Sequence, residues 1–302
     1  MNLRQLEYWL AVVDTGSFTR AAAELHVSQP GLSQQIKALE TEFGGQLLER
    51  LPRGIRLTAA GKAFLPEARA TVLAAERAAR VAREALSLRT GQLEIATVRS
   101  VAVGILPPAI RDLYERHPGV EIRLHEYAHR LDLERGMRSG VADIGVGPPP
   151  FDLDGPVELL GWEEFVLIVG PRDPAWSIPD TARVGLEELA DRDWILFPRE
   201  HGLWVLVTEA CGRAGFVPRK TVETQQVEAA VRLAAAGVGI SLVPSSIVPV
   251  DLSAHVRRLR RPVVRRLTAY TRRDWSPLAG GFLEILKAQP WDGRPADAEV
   301  IG

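Results

Sequence analysis

The sequence predicts an α/β protein that begins with an all-α, winged part. Three observations carry the prediction. Between Ser17 and Thr41, two short helical patterns sit side by side with a tight break between them. An apolar seam then runs in steps of three and four from Leu65 to Leu86, the spacing of a long helix that packs along one narrow line. From Gln92 onward, strand-like runs alternate with helical patterns, as they do where helices layer on a sheet.

In the N-terminal part, Leu3, Leu6, Trp9, Leu10 and Val13 form the apolar stripe of a first helix. A second runs from about Thr19 to Leu25. A third opens at Ser28, a good N-cap, with Pro30 in the first turn where a missing N–H costs nothing. Leu32, Ile36, Leu39 and Phe43 then recur on one face. Pro30, Ser33, Gln34, Lys37 and Thr41 fall opposite. That face is polar, mostly uncharged, and able both to donate and to accept hydrogen bonds. Such a helix can lie in a major groove while its other side anchors in a small core. Two strand-like runs follow, Leu47–Arg50 and Ile55–Thr58, around a tip of Pro52, Arg53 and Gly54. Three helices and a basic-tipped hairpin make a winged helix-turn-helix.

This assigns a role to each residue type. Ser28, Gln29, Pro30, Ser33, Gln34 and Lys37 are expected at the groove, since Gln can pair with adenine and Pro30 can touch a thymine methyl. Ser17, Thr19 and Arg20 begin the preceding helix and are expected on phosphate. Arg50, Arg53 and Arg56 would set the wing on the backbone or in the minor groove. For any one of them, a solvated polar side chain stays an open alternative.

The formal net charge is −1, which argues against sequence-wide electrostatic binding. Residues 1–62 hold seven basic side chains against six acidic, so affinity must come from placed contacts and from pairing of copies rather than bulk charge. Cys211 is the single cysteine, which excludes an intramolecular disulfide and a cysteine-based metal cluster. There is no basic n-region with an apolar run behind it and no stretch long enough to span a bilayer, so a cytoplasmic, membrane-free protein is expected.

After the wing, Thr58 can cap a helix running to about Leu88. Its seam is Leu65, Ala68, Val72, Ala75, Ala79, Ala82 and Leu86, with small alanines that let two helices approach closely, and Pro66 predicts a kink or a broken first turn. Charged flanks favour pairing of two copies over packing within one. Arg89-Thr90-Gly91 marks a boundary. Beyond it the pattern gives strands at 93–98, 120–126, 142–146, 163–169, 194–197, 221–224, 240–243 and 264–271. Helices are expected at 101–116, 131–139, 203–214, 227–236 and 278–288, on a largely parallel sheet. The tail after Pro290, rich in Pro, Gly and Asp, is expected to be loose.

The first 65 or so residues resemble the DNA-binding domain of LysR-type transcriptional regulators. Gly16-Ser17-Phe18-Thr19, Ala21-Ala22, Leu25, Val27-Ser28-Gln29-Pro30, Leu32-Ser33, Gln35-Ile36, Leu39-Glu40, Leu47, Glu49-Arg50, Leu57-Thr58 and Gly61 carry the match. One departure is Gln34, where the family often has Arg. Residues 91–290 resemble the family's effector-binding domain through Ile105-Leu106-Pro107, His117-Pro118, Gly140–Gly147 and Ala235–Pro244. The resemblance implies a winged helix-turn-helix at 1–58, a dimerisation helix at 59–90 and an effector domain at 91–302. The last is similar to periplasmic solute-binding proteins, with subdomain I at about 91–161 and 267–290 and subdomain II at about 162–266. Two crossing strands near Leu160–Val166 and Arg266–Tyr270 would join them around a cleft.

Ser100 follows the first strand at the start of a helix, where N–H groups and a hydroxyl suit a carboxylate. Family pockets use this position, so Arg99, Ser100 and Val101 are expected in the cleft. Gly147, His201, Gly202, Leu203, Gln225 and Gln226 fall where the resemblance puts further lining. A capping or surface role is an equal alternative for each. Enzyme signals fail: Gly237-x-Gly239 lacks the third glycine of a dinucleotide fingerprint, and Gly239-x-Ser241 is followed by Val243 where a nucleophile elbow needs Gly. No cofactor or metal is expected. The reading is a regulator bound to double-stranded promoter DNA, a small-molecule effector, its own copies as homodimer or homotetramer, and RNA polymerase. The alternatives are an architectural DNA binder that ignores ligands, or a solute-binding or enzymatic module with a DNA-docking appendage.

Overall fold

The computed structural model describes residues 1–51, 54–86, 91–179 and 182–301, apart from the side chains of Arg50, Arg77, Arg80 and residues 81–86. The chain divides into two compact units.

In the N-terminal unit α1 spans Leu3–Thr15, α2 Phe18–Glu24 and α3 Gln29–Glu42. Asn2 and Gln5 cap α1 reciprocally, and Gly16 ends it in the left-handed region at φ 64, where a glycine pays no Cβ penalty. Ser28 Oγ accepts from Gly31 N at 3.3 Å, with Pro30 in the first turn. Trp9, Leu32, Ile36 and Leu39 close the core, each large apolar side chain contributing about 1.5–3 kcal/mol on burial. The hairpin pairs β1 (Leu48–Leu51) with β2 (Gly54–Leu57). Glu40 on α3 fixes where it starts: one carboxylate oxygen accepts from Leu47 N at 2.8 Å and Leu48 N at 3.0 Å.

Helix α4 spans Ala59–Leu86. Thr58 caps it through Gly61 N at 3.0 Å. Gly61 lies so close to the hairpin that a Cβ there would stand 2.1 Å from the Leu47 carbonyl oxygen. The helix continues through Pro66 without interruption. A kink or a locally broken first turn was expected there; the helix does not break, its preceding turn being anchored by Thr58. Ala68, expected on the seam between copies, is buried in this unit's own core, and Leu65 and Val72 pack against that core. Ala79 is exposed and Ala75 half-buried. Ala82 and Leu86 have side chains outside the described residues, as does the expected boundary at Arg89-Thr90.

The C-terminal unit holds two hydrophobic cores, built on a mixed sheet and a separate two-stranded parallel one. Strands β3 (Gln92–Val98), β4 (Glu121–Tyr127) and β5 (Ile144–Gly147) pair in parallel. Helices α5 (Arg99–Gly104), α6 (Leu106–Arg116) and α7 (Arg130–Ser139) connect them. One helix was expected over 101–116. Two form instead, parted at Ile105, because Pro107 and Pro108 lack N–H groups and fit only the first turn of a new helix. Strand β6 (Val157–Ile168) starts earlier than the sequence pattern suggests. The second core gathers β7 (Asp193–Leu196), α8 (Gly202–Arg213), β8 (Arg219–Glu223), α9 (Val227–Ala235), β9 (Ser241–Pro244) and β10 (Val256–Arg257).

Strand β11 (Val263–Tyr270) runs antiparallel to β6, from Val263 opposite Phe165 to Tyr270 opposite Val157. Leu160, Leu267 and Tyr270 enter the first core, while Phe165, Leu167 and Val263 enter the second. Each strand therefore serves both subdomains, as expected of crossing strands. They also make the sheet mixed rather than largely parallel, since β11 returns antiparallel to both β6 and β5. Helix α10 (Pro277–Lys287) packs on the first core. The tail is not loose: β12 (Glu299–Val300) pairs with β11, and Ile301 is buried in the second core. Apolar residues at its end outweigh the Pro and Gly before them.

Candidate DNA-reading surface and ligand cleft

On the N-terminal unit, Ser28, Pro30, Gln34 and Lys37 are exposed along α3, with Gln29 and Ser33 half-buried. Thr19 and Arg20 are exposed on α2, whose N-cap is Ser17; the Arg20 guanidinium donates to the Thr15 carbonyl. Arg56 is exposed but lies opposite Glu49 in the hairpin and donates to its carboxylate at 2.9 Å. An exposed pair of this kind is worth about 0–1 kcal/mol, so Arg56 can exchange Glu49 for a phosphate. The Arg50 side chain and all of Arg53 lie outside the described residues.

The turn between α2 and α3 depends on His26, at φ 53. Val27 N donates to Ala22 O at 3.0 Å and His26 N to Ala23 O at 3.2 Å. This is a Schellman closure with a histidine where glycine is usual. The sequence pattern carries no signal for it.

In the C-terminal unit a cavity of about 240 Å³ opens between the two subdomains. Arg99, Ser100, His201, Gly202 and Leu203 line it as expected. Val101 does not, because its side chain turns fully into the first core. Gly147 does not either. Its carbonyl accepts from the Thr268 hydroxyl at 3.1 Å, and a Leu133 methyl stands 3.0 Å from where its Cβ would be. Gln225 and Gln226 are exposed before α9, off the cavity lining.

Ser100 is buried, and its hydroxyl accepts from Arg265 Nη2 at 2.9 Å. Arg265 in turn lies opposite Glu163, both 3% exposed, and donates through Nε to Oε2 at 2.6 Å. The other Glu163 oxygen takes the Ser246 hydroxyl. Arg265, His129, Arg130 and Phe151 also line the cavity and were missed in the sequence. Arg265 had a weak signal, being one of two adjacent arginines inside a mostly apolar strand. The Arg130 guanidinium stands 3.5 Å over the Phe151 ring, and burial lowers its pKa. Glu134 holds that loop by accepting from Phe151 N at 2.8 Å and Asp152 N at 3.1 Å.

The start of α8 is already satisfied. Gly202 N donates across the cleft to Ala128 O at 2.8 Å, Leu203 N to His201 Nδ1 at 3.2 Å, and Trp204 N to His201 O at 2.9 Å. An anion here must be met by side chains. His201 is 4% exposed and stacks on Phe197 at 4.8 Å. Burial, then the charges of Arg99 and Arg265 and the nearby His129, depress its pKa to about 4. The ring is therefore neutral, and since Nδ1 accepts, the proton is on Nε2. That atom is buried and has no hydrogen-bond partner.

A winged helix-turn-helix followed by a two-subdomain α/β unit with a ligand-sized cleft defines a class: DNA-binding transcriptional regulators that carry an effector-binding domain. Residues 3–62 match the bacterial regulatory helix-turn-helix protein, lysR family, and residues 87–291 match the LysR substrate binding domain; the chain belongs to the LysR family. The regulator AlsR of Bacillus subtilis is 30% identical over 304 residues, covering 99% of each chain. ClcR of Pseudomonas putida is 33% identical over 250 residues, covering 82% of this chain and 84% of its own. These relatives are named transcriptional regulators, not enzymes. The crystal structure of CbnR, a LysR family regulator, superposes with a TM-score of 0.74 at 27% identity, covering 95% of this chain and 98% of CbnR. Full-length CbnR in complex with its target DNA gives 0.72 at 28%, covering 95% and 99%. Among the described residues no helix is long and apolar enough to cross a membrane, and no group of three His, Cys, Asp or Glu is placed to hold a metal ion.

Proposed function

We propose that this chain is a ligand-responsive regulator acting in the cytoplasm. Its α3 reads base edges in the major groove of promoter DNA through Gln29, Pro30, Ser33, Gln34 and Lys37. Ser17, Thr19, Arg20 and the wing arginines meet phosphate. Two or four copies join through α4, around Ala75, Ala79, Ala82 and Leu86, so that two half-sites are read together. The effector binds between the subdomains and favours one arrangement of the cleft. It can do so only through different affinity for the two arrangements. The changed assembly then alters contact with RNA polymerase.

The observation that carries this reading is the cleft itself, walled by both subdomains, with His201, whose buried Nε2 has no hydrogen-bond partner, among its lining residues. A redox response is not supported, because the Cys211 thiol is fully buried and pushed up to about 12. The deciding experiment is a footprint on the promoter region with Ser33→Ala and Gln34→Ala combined. Loss of sequence preference with residual non-specific binding is expected. An unchanged footprint would falsify the assignment of α3 as the reading helix.

A further inference from the structure

Taking the cleft as the effector site, as proposed above, its lining narrows what the effector is. We propose that it holds a small apolar carboxylate, which accepts from His201 Nε2–H and the Arg99 guanidinium while its hydrocarbon or aryl body fills the rest.

Four observations lead there. No Asp or Glu lines the cavity, whereas Arg99, Arg130 and Arg265 all do. Arg265 is paired with Glu163, while Arg130 lies over the face of Phe151 and keeps its charge. Arg99, half-buried, makes no hydrogen bond or ion pair among the described residues. The lining therefore carries positive charge that an anion can meet. A carboxylate that took Arg265 would leave the buried Glu163 unpaired at high cost.

His201 supplies the direction. A buried donor with no partner is costly, and the ring is fixed from both sides, by Leu203 N on Nδ1 and by Phe197 on its face. Its Nε2–H therefore sits ready for an acceptor that arrives with the ligand. Being neutral, the ring selects by hydrogen bonding, and Arg99 supplies the charge.

Leu131, Pro148, Phe151, Leu203, Val205 and Leu206 make up most of the remaining lining. These residues give a hydroxylated body nothing to bond to, so a sugar acid would lose hydration without replacement. The volume, about 240 Å³, is below the range of about 300–1,000 Å³ typical of drug-sized ligands, so the body is small.

The test uses the full-length protein and isothermal titration calorimetry. Benzoate and hexanoate serve as apolar monocarboxylates, benzamide and hexanamide as their uncharged counterparts, and gluconate as the hydroxylated acid. The acids are expected to bind at least tenfold more tightly than the amides and than gluconate. His201→Asn keeps an N-cap acceptor for α8 but cannot reach the Nε2 position, and it should weaken the acids about 10- to 100-fold. Arg99→Gln, at a partly exposed site, should erase the preference for acid over amide. Equal binding of acids and amides, gluconate binding as well as benzoate, no binding by either acid, or His201→Asn with unchanged acid affinity would each overturn the proposal. A parallel footprint separates this from the regulator reading. Acids that bind as expected yet leave the DNA contacts unaltered count against regulation through the cleft, not against the ligand class. An amide that alters them counts against the ligand class alone.

Discussion

Arg265 faces Glu163 across the two antiparallel strands that both subdomains share, and each side chain reaches one subdomain further. Arg265 donates to Ser100 at the start of α5, in the first. Glu163 accepts from Ser246, beside the second core. The pair is thus the polar joint beneath the cleft, in a stretch otherwise held by apolar packing. Because both groups are almost fully buried, removing one strands the other. Arg265→Met is expected to cost about 3–5 kcal/mol in urea unfolding, against about 1 kcal/mol or less for breaking the exposed Arg56–Glu49 pair. A similar cost for both would show that the joint is solvated.

Stability should depend on His201 in mildly acid solution. Its folded pKa, about 4, lies below the ordinary value of 6.5. The unfolded chain therefore binds a proton first as pH falls. The contribution is complete above about pH 6.5 and is lost as pH drops towards 4, up to about 3 kcal/mol. Denaturation midpoints measured from pH 7 to 4 should fall more steeply for wild type than for His201→Asn. Parallel curves would show that the ring titrates freely in the folded protein.

His26→Gly is expected to stabilise the N-terminal unit by about 1 kcal/mol, since the left-handed region costs an L-residue that much and His26 occupies it. His26→Val should destabilise, because a branched Cβ fits there worst. Thermal melts of both variants check the sign.

Pairing through α4 predicts that Ala79→Glu dissociates the assembly in sedimentation equilibrium while leaving each protomer folded, because Ala79 is exposed on its own chain. Ala68→Glu would instead unfold the N-terminal unit, since Ala68 is 1% exposed in its core. An unaltered sedimentation profile for Ala79→Glu would place the dimer contact elsewhere.

Cys211 should resist a thiol reagent at neutral pH in the native protein and react fully once the chain is unfolded. Both burial and its raised pKa withhold the thiolate. Rapid native labelling would be the contrary result.

The sequence made the N-terminal unit legible because its order is local. Leu32, Ile36 and Leu39 repeat with the helix, and Ser28 and Pro30 announce where it starts. The two-core arrangement was legible at the level of alternation and of the two crossing strands. The cleft was legible only in part. Arg99, Ser100 and His201 sit at strand and helix junctions, which local pattern can find. Arg265, Arg130 and Phe151 reach the same cavity from distant segments, and no spacing along the chain encodes that. Val101 and Gly147 were misplaced for a related reason, since a one-residue turn about a helix or strand decides between core and cavity. Ala68 shows the same ambiguity: an apolar seam does not say whose surface it meets.

The contact between Glu40 and the first residues of the hairpin has a bearing on operator architecture. A single carboxylate clamps the hairpin's root to α3, so on the reading proposed above the interval from groove to flanking backbone is a constant within one protomer. On that same reading, promoters with different distances between half-sites would be accommodated only by how the copies are arranged, and tolerance to inserted base pairs would be a direct gauge of that freedom.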